Sequence, residues 1–273
     1  MRIHVLVENT SKPGGPTGEH GLSLYVEANG YTILFDTGQG NMFVRNAEIM
    51  GIDLSKVSSA VISHGHYDHG GGLKTFLGVN RHAPVYVHRR AFEQHLSLRS
   101  DGNYTDIGLD PELMTDIRVV LTNGNTEISK GALLFCDVKK EYPVPQNNRN
   151  LFIKMGNDLL PDDFKHEQNL LIWENDKTVL IAGCAHRGIA NIVTKAKKII
   201  GRYPDVVVGG FHLHGRSEDE EDPSEVRCLA KTLLETGSLY FTCHCTGTTA
   251  YEQMKTIIGD RIKTMTTGTV LEL

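Results

Sequence analysis

The chain has 273 residues, 40% of them hydrophobic and 22% charged, and 28 Lys+Arg against 33 Asp+Glu give a net charge of −5. This composition lies near the globular average and excludes disordered, collagen-like and coiled-coil chains. At this length roughly 75% of the unfolded surface is buried on folding, so the core needs no disulfide or partner chain, and the mild acidity speaks against a nucleic-acid-binding face.

No apolar run reaches the roughly 18 residues of a spanning helix, so no membrane association is expected. Met1 to Glu8 reads MRIHVLVE, without the basic start, apolar stretch and small-residue site of an export signal, which gives a cytoplasmic expectation. Cys136, Cys184, Cys228, Cys243 and Cys245 are odd in number and unevenly spaced, and are expected as free thiols or metal ligands.

Along the chain, Ile3 to Val7 reads as a strand, and Leu22 to Val26 and Tyr31 to Phe35 as a hairpin joined at Asn29-Gly30. Asn41 to Met50 carries helical spacing and ends near Gly51, Val57 to Ser63 is a buried strand, and a helix covers Gly72 to Leu77. Arg89 to Phe164 is less regular, with strands at Ile117 to Leu121 and Ala132 to Cys136, and reads as an insertion that walls a cleft within a single domain over 1–273. Strands follow at Leu170 to Trp173, Thr178 to Ala182, Asp205 to Val208 and Leu239 to Thr242. Helices are expected at Ile189 to Ile200, Ser224 to Leu234 and Thr248 to Ile258, and the interleaving predicts a layered α/β fold.

Thirteen histidines are the unusual count, and the string Ser63-His64-Gly65-His66-Tyr67-Asp68-His69-Gly70-Gly71-Gly72 concentrates them directly after an apolar strand. His64 and His66 are two apart, so extended backbone sends both imidazoles to one side. Asp68 and His69 follow as the chain turns into a helix. Imidazole and carboxylate together suit zinc, iron or manganese. Four ligands within six residues exceed the need of one open site, which points to two divalent metal ions, zinc foremost.

HxHxDH after a strand resembles the signature of the metallo-β-lactamase superfamily, with Leu34-Phe35-Asp36-Thr37-Gly38 matching the turn ahead of it. Together with Leu34 to Gly38, the strings Glu19 to Ser23, Ser63 to Leu73, Gly183 to Gly188, Gly209 to Leu213 and His244 to Gly247 resemble its 7,8-dihydropterin-6-methyl-4-(β-D-ribofuranosyl)-aminobenzene-5′-phosphate synthase-like branch. The resemblance implies an α/β four-layer αββα sandwich with metals at one edge of the β core. It also implies His244 as the last metal histidine, and Cys184 where the superfamily carries a bridging aspartate or a ligating cysteine. A buried core thiol is the other reading of Cys184. The superfamily's Gly-His-Thr-Pro-Gly-like turn is missing, so either His166 or His186 completes the first metal's set, and His186 is favoured.

The expected metal ligands are therefore His64, His66, Asp68, His69, Cys184, His186 and His244, with Asp68 and His212 in catalysis. Cys243 and Cys245 point away from His244 if the backbone is extended. Asp36 either orients a ligating imidazole or caps its own turn. His212, with His214 and Arg216, suits phosphate binding or protonation of a leaving group, and the acidic run Glu218 to Asp222 reads as a solvated loop.

The expected function is a metal-dependent hydrolase or synthase acting on a phosphate-bearing small molecule. The branch implies a pterin-pathway condensation that expels pyrophosphate, and a phosphodiesterase or general hydrolase is the alternative. A di-iron redox protein, whose members replace a motif histidine by glutamate where His66 stands here, and a non-catalytic anion sensor are the readings from other classes.

Overall fold

The structure, a computed structural model, describes residues 1–214 and 220–273. Two seven-stranded sheets form its centre. Across the first run Val270–Glu272, Arg2–Val7, Ser23–Ala28, Tyr31–Phe35, Ser59–Ile62, Val85–His88 and Val119–Thr122. Across the second run Ile262–Thr264, Leu239–Thr242, Val206–Gly209, Lys177–Ile181, Asn169–Glu174, Ala132–Phe135 and Thr126–Ser129. Each sheet repeats one plan, an antiparallel hairpin followed by a parallel run of four strands.

Strand alternation explains the layering. In Tyr31–Phe35, Ile33 and Phe35 face the opposite sheet, and Leu34 faces outward. In Lys177–Ile181, Val179 and Ile181 face inward and Leu180 outward. Ile33, Phe35 and Val61 thus meet Val179, Ile181 and Val208 in a dry layer between the sheets. Phe43, Ala47, Leu73 and Phe76, from helices Met42–Ile49 and Leu73–Val79, cover the first sheet's outer face. The second sheet is covered by Ile189–Ile200, Pro223–Thr236 and Thr248–Ile258, the first of which buries Ile189, Ile192, Val193 and Ala196 at helical spacing. The result is the expected αββα sandwich, and burial of each such Ile, Leu or Phe contributes about 1.5–3 kcal/mol. Among the described residues no helix is long and apolar enough to cross a membrane.

The hairpin at Asn29-Gly30 forms as predicted, with φ of 53° and 78° at the two turn residues. Residues 89–164 are more regular than expected. Besides one strand of the first sheet and two of the second, they form a third, antiparallel sheet ordered Asp158–Pro161, Leu151–Met155, Gln94–Leu98, Tyr104–Asp106. Its strands were hidden because the buried side of Gln94–Leu98 carries His95 and Ser97, which erase the apolar alternation. The acidic run also needs correction. Glu221 is buried and accepts the Gln146 N–H at 2.9 Å, and Asp222 caps the helix Pro223–Thr236 by accepting the Ser224 N–H. Arg216, Glu218 and Asp219 lie outside the described residues.

Candidate metal centre

The carboxyl ends of the parallel strands converge on one rim, where such sheets collect their chemistry. Ser59–Ile62 leads to His64 and His66, and the short helix Tyr67–Gly70 carries Asp68 and His69. Lys177–Ile181 leads to Cys184 and His186, Val206–Gly209 to His212, and Leu239–Thr242 to His244. Four non-glycine residues on these exits hold left-handed backbone: Asp36 at φ 61°, Ala185 at 59°, His212 at 53° and His244 at 53°. Such conformations are costly for L residues and gather where a turn must aim a side chain.

Two groups of ligand atoms result. In the first, Nε2 of His64 lies 3.1 Å from Nδ1 of His66, and the His186 ring stands 4.9 Å from both rings, centroid to centroid. One nitrogen from each of His64, His66 and His186 falls within 4.8 Å of the others. In the second, Nε2 of His69 lies 3.0 Å from Cys184 Sγ and 3.2 Å from Nε2 of His244. Asp68 Oδ2 reaches Nε2 of His20 at 3.1 Å and Nε2 of His244 at 3.5 Å. Outer partners fix the rings. Asp36 accepts from His69 Nδ1 at 2.6 Å and from the Ser63 N–H and hydroxyl, so it orients the imidazole rather than capping its own turn. Asn148 Oδ1 meets His186 Nδ1 at 2.9 Å, and Asn9 Oδ1 meets His244 Nδ1 at 2.8 Å.

Of the two histidines left open by the sequence, His186 faces His64 and His66. His166 turns the other way: its Nδ1 accepts the Gly65 N–H at 2.9 Å and its Nε2 donates to Asp162 at 3.2 Å. Cys243 packs into the core between the sheets, as extended backbone implies. Cys245 does not follow that expectation. The left-handed His244 and the 3₁₀ turn His244–Thr246 swing it back, so that Cys184, His244 and Cys245 form one ligand-capable group.

Burial holds His64, His66 and His186 well below the usual imidazole range, with the neighbouring imidazoles adding to the effect, so all three rings are neutral. Burial also opposes the charge on His69, yet Asp36 overrides it and raises that imidazole to about 9. Asp68 is held low, because hydrogen bonds from His20 and His244 outweigh its burial. Burial pushes the Cys184 thiol up, so that only an adjacent cation keeps it as thiolate.

The cluster's fit to a metal rests on its unpaired atoms. Nε2 of His66 and Nε2 of His186 are buried with no hydrogen-bond partner among the described residues. An orphaned buried nitrogen facing two neutral imidazoles is unfavourable without a cation to accept its lone pair. Above the cluster opens a cavity of about 200 Å³, whose lining includes His66, Asp68, His186, His212, His244 and Arg99. His214 lines it as well.

The superfamily model of the metallo-beta-lactamases matches residues 16–134. The crystal structure of Tm1679, a metal-dependent hydrolase of the beta-lactamase superfamily, superimposes with a TM-score of 0.84 at 32% identity, covering 100% of this chain and 99% of that one. The chain belongs to the metallo-beta-lactamase superfamily. Within it, an uncharacterized protein of Methanocaldococcus jannaschii is 32% identical over 222 residues, 80% of this chain and 81% of its own. From the same archaeon, a 7,8-dihydropterin-6-methyl-4-(beta-D-ribofuranosyl)-aminobenzene-5'-phosphate synthase is 27% identical over 264 residues, 90% of this chain and 88% of its own. The metallo-beta-lactamase fold implies divalent metal binding, and the histidine clusters supply candidate sites for it.

His20, Asn9, Asn148 and Arg99 were not singled out from sequence as site residues. His20 does sit in the Glu19 to Ser23 string that carried part of the resemblance. The others reach the site from distant, polar segments that carry no local signal.

Proposed function

We propose that the protein is a dinuclear metal-dependent enzyme that cleaves or transfers at a phosphate-bearing small molecule. His64, His66 and His186 would hold one cation, and Asp68, His69, Cys184 and His244 the other. The single observation behind this reading is the buried, partnerless Nε2 of His186 opposite His64 and His66. Two divalent cations there, with zinc suited to the imidazole and thiol donors and iron or manganese accepted, would polarise a phosphoryl or carbonyl oxygen and acidify water.

The chain's own residues supply the remainder. His212 borders the cavity beside His186, with ring centroids 4.1 Å apart, and is suited to give a proton to the leaving group. Arg99 is the one Lys or Arg among the described residues lining the cavity, a guanidinium that complements a phosphate. The phosphate in the name of the 27% identical synthase supports the same substrate class.

The test combines metal analysis with turnover of phosphodiester, lactone and thioester model substrates. Two metals per chain, and activity abolished by His66→Ala and Asp68→Ala, are expected. His212→Asn should keep both metals and lose on the order of 10²–10⁴ in rate. Arg99→Ala should raise KM about tenfold or more for phosphate-bearing substrates alone, through loss of a charge-assisted hydrogen bond. A chain that binds metal yet turns over none of these substrates would replace the enzyme reading with that of an anion sensor.

A further inference from the structure

The first proposed ligand set is divided between the two halves of the sandwich. His64 and His66 leave the first sheet, and His186 leaves the second. Metal geometry tolerates errors of only about 0.5 Å, so something must fix one turn against the other. Three consecutive residues lie between them. His166 Nδ1 accepts the N–H of Gly65, the peptide between His64 and His66. Glu167 takes the His186 N–H at 2.6 Å and the Arg187 N–H at 3.1 Å, one on each carboxylate oxygen. Gln168 donates its own N–H to the Ser63 carbonyl at 2.8 Å and its side-chain amide to the Ile62 carbonyl at 2.8 Å.

The strap is itself tied down. Asp162 Oδ2 accepts from His166 Nε2 at 3.2 Å and from His95 Nδ1 at 2.8 Å, and its Oδ1 accepts the Phe164 N–H at 2.7 Å. The side chains of His95, Asp162 and His166 are wholly buried. His95 closes the other side of the turn, since a Cβ on Gly65 would lie 2.7 Å from its Nε2 and 2.4 Å from the Ala91 carbonyl oxygen. Asp162 therefore fixes the His166 tautomer: the proton sits on Nε2, and Nδ1 is left bare for Gly65.

We propose that His166, Glu167 and Gln168, anchored on Asp162 and His95, form a positioning strap that registers His186 against His64 and His66. This rests on the metal assignment above. His166, which stands near the offset of a superfamily ligand, orients the ligand turn here from behind.

Cobalt(II) affinity and the visible spectrum of the cobalt-loaded chain test it. His166→Asn keeps an acceptor where Nδ1 stood, whereas His166→Gln keeps a group near Asp162 and removes the Gly65 acceptor. His166→Gln is expected to weaken one of two cobalt ions by about 10–100-fold and to shift its ligand-field bands, with His166→Asn close to wild type in both. Glu167→Gln, which turns an amide NH₂ towards a backbone N–H, should weaken the same ion and carries the test if His166→Gln does not fold. Wild-type affinity and spectrum in both His166→Gln and Glu167→Gln would overturn the strap while leaving the metal assignment intact. So would a third cobalt equivalent lost in His166→Gln, which would make His66, His95, Asp162 and His166 a cation site. A wild-type chain that binds no cobalt would overturn the metal assignment itself.

Discussion

Nδ1 of His69 stands 2.6 Å from Oδ2 of Asp36, with both side chains wholly buried. The short, charge-assisted contact fixes a proton on Nδ1 of His69, so Nε2, which faces Cys184 and His244, is the atom that would give up its proton to a cation. Both carboxylate oxygens accept, since Oδ1 takes the Ser63 N–H and Oδ2 also takes the Ser63 hydroxyl. Asp36→Asn must leave an amide NH₂ facing a donor. We expect a loss of about 10–100-fold in affinity for the cation assigned to His69, and about 1–3 kcal/mol of stability. Competition with a chromophoric chelator and urea unfolding measure the two. An Asp36→Asn protein that keeps wild-type affinity for both cations would remove Asp36 from the support of the metal site.

The Sγ of Cys184 lies 3.0 Å from His69 Nε2, within the group assigned above to the second cation. If it binds a cation, the cobalt-loaded chain will show thiolate-to-cobalt absorption in the near ultraviolet. Cys184→Ala is expected to abolish that band and release one metal equivalent, and Cys184→Asp to restore the metal without the band. A band that survives Cys184→Ala and disappears in Cys245→Ala would move the thiolate role to Cys245.

Much of this architecture was legible because it rests on local periodicity. Ile189–Ile200, Leu239–Thr242 and Thr248–Ile258 fall on the residues that their apolar spacing marked. The HxHxDH cluster was legible for the same reason, as its spacing and its place after a buried strand are local facts. What long-range contact decides was not legible. Nothing near His166 announces that the distant Gly65 N–H takes its Nδ1, and nothing near His186 announces Asn148. Cys245 departs from the alternation that extended backbone would impose, because a left-handed residue, His244, reverses it. The third sheet escaped because polar residues fill its buried side.

Two glycines, Gly65 in the turn between His64 and His66 and Gly78 in a helix, should respond in opposite directions. Gly65 has backbone and ring atoms within 2.4–2.8 Å of any added Cβ, so Gly65→Ala must displace the Ala91 carbonyl or the His95 ring. Overpacking of this kind costs about 1–3 kcal/mol, and here it also parts His64 from His66. Gly78 lies inside the helix Leu73–Val79 with nothing within 4 Å, so Gly78→Ala should add about 0.5–1 kcal/mol. Paired thermal unfolding and metal titration check both. Gly78→Ala should leave metal content unchanged, and Gly65→Ala should lower it. Equal stability shifts in the two variants would contradict the packing assigned to Gly65.

His88, at the end of Val85–His88, gives a pH prediction away from the proposed ligands. Burial, reinforced by His166, Arg89 and Arg90, lowers its imidazole to about 4, although Asp137 pulls the other way. The unfolded chain takes up this proton near the ordinary 6.5, whereas the folded chain does not until about 4. Between those limits the unfolded state binds more protons, so the native state loses stability as pH falls from about 6.5 to about 4, and the loss is constant below that. His88→Asn keeps an acceptor near Nδ1, which takes the Arg90 N–H at 3.3 Å, and carries no titrating group. The difference in urea midpoint, wild type minus variant, should therefore be steady above pH 7 and decline steadily towards pH 4. Titrations of groups outside the surroundings of His88 are common to both chains and cancel. A difference that stays flat across this window would mean that His88 charges as readily in the fold as outside it, and that water reaches a ring described here as buried.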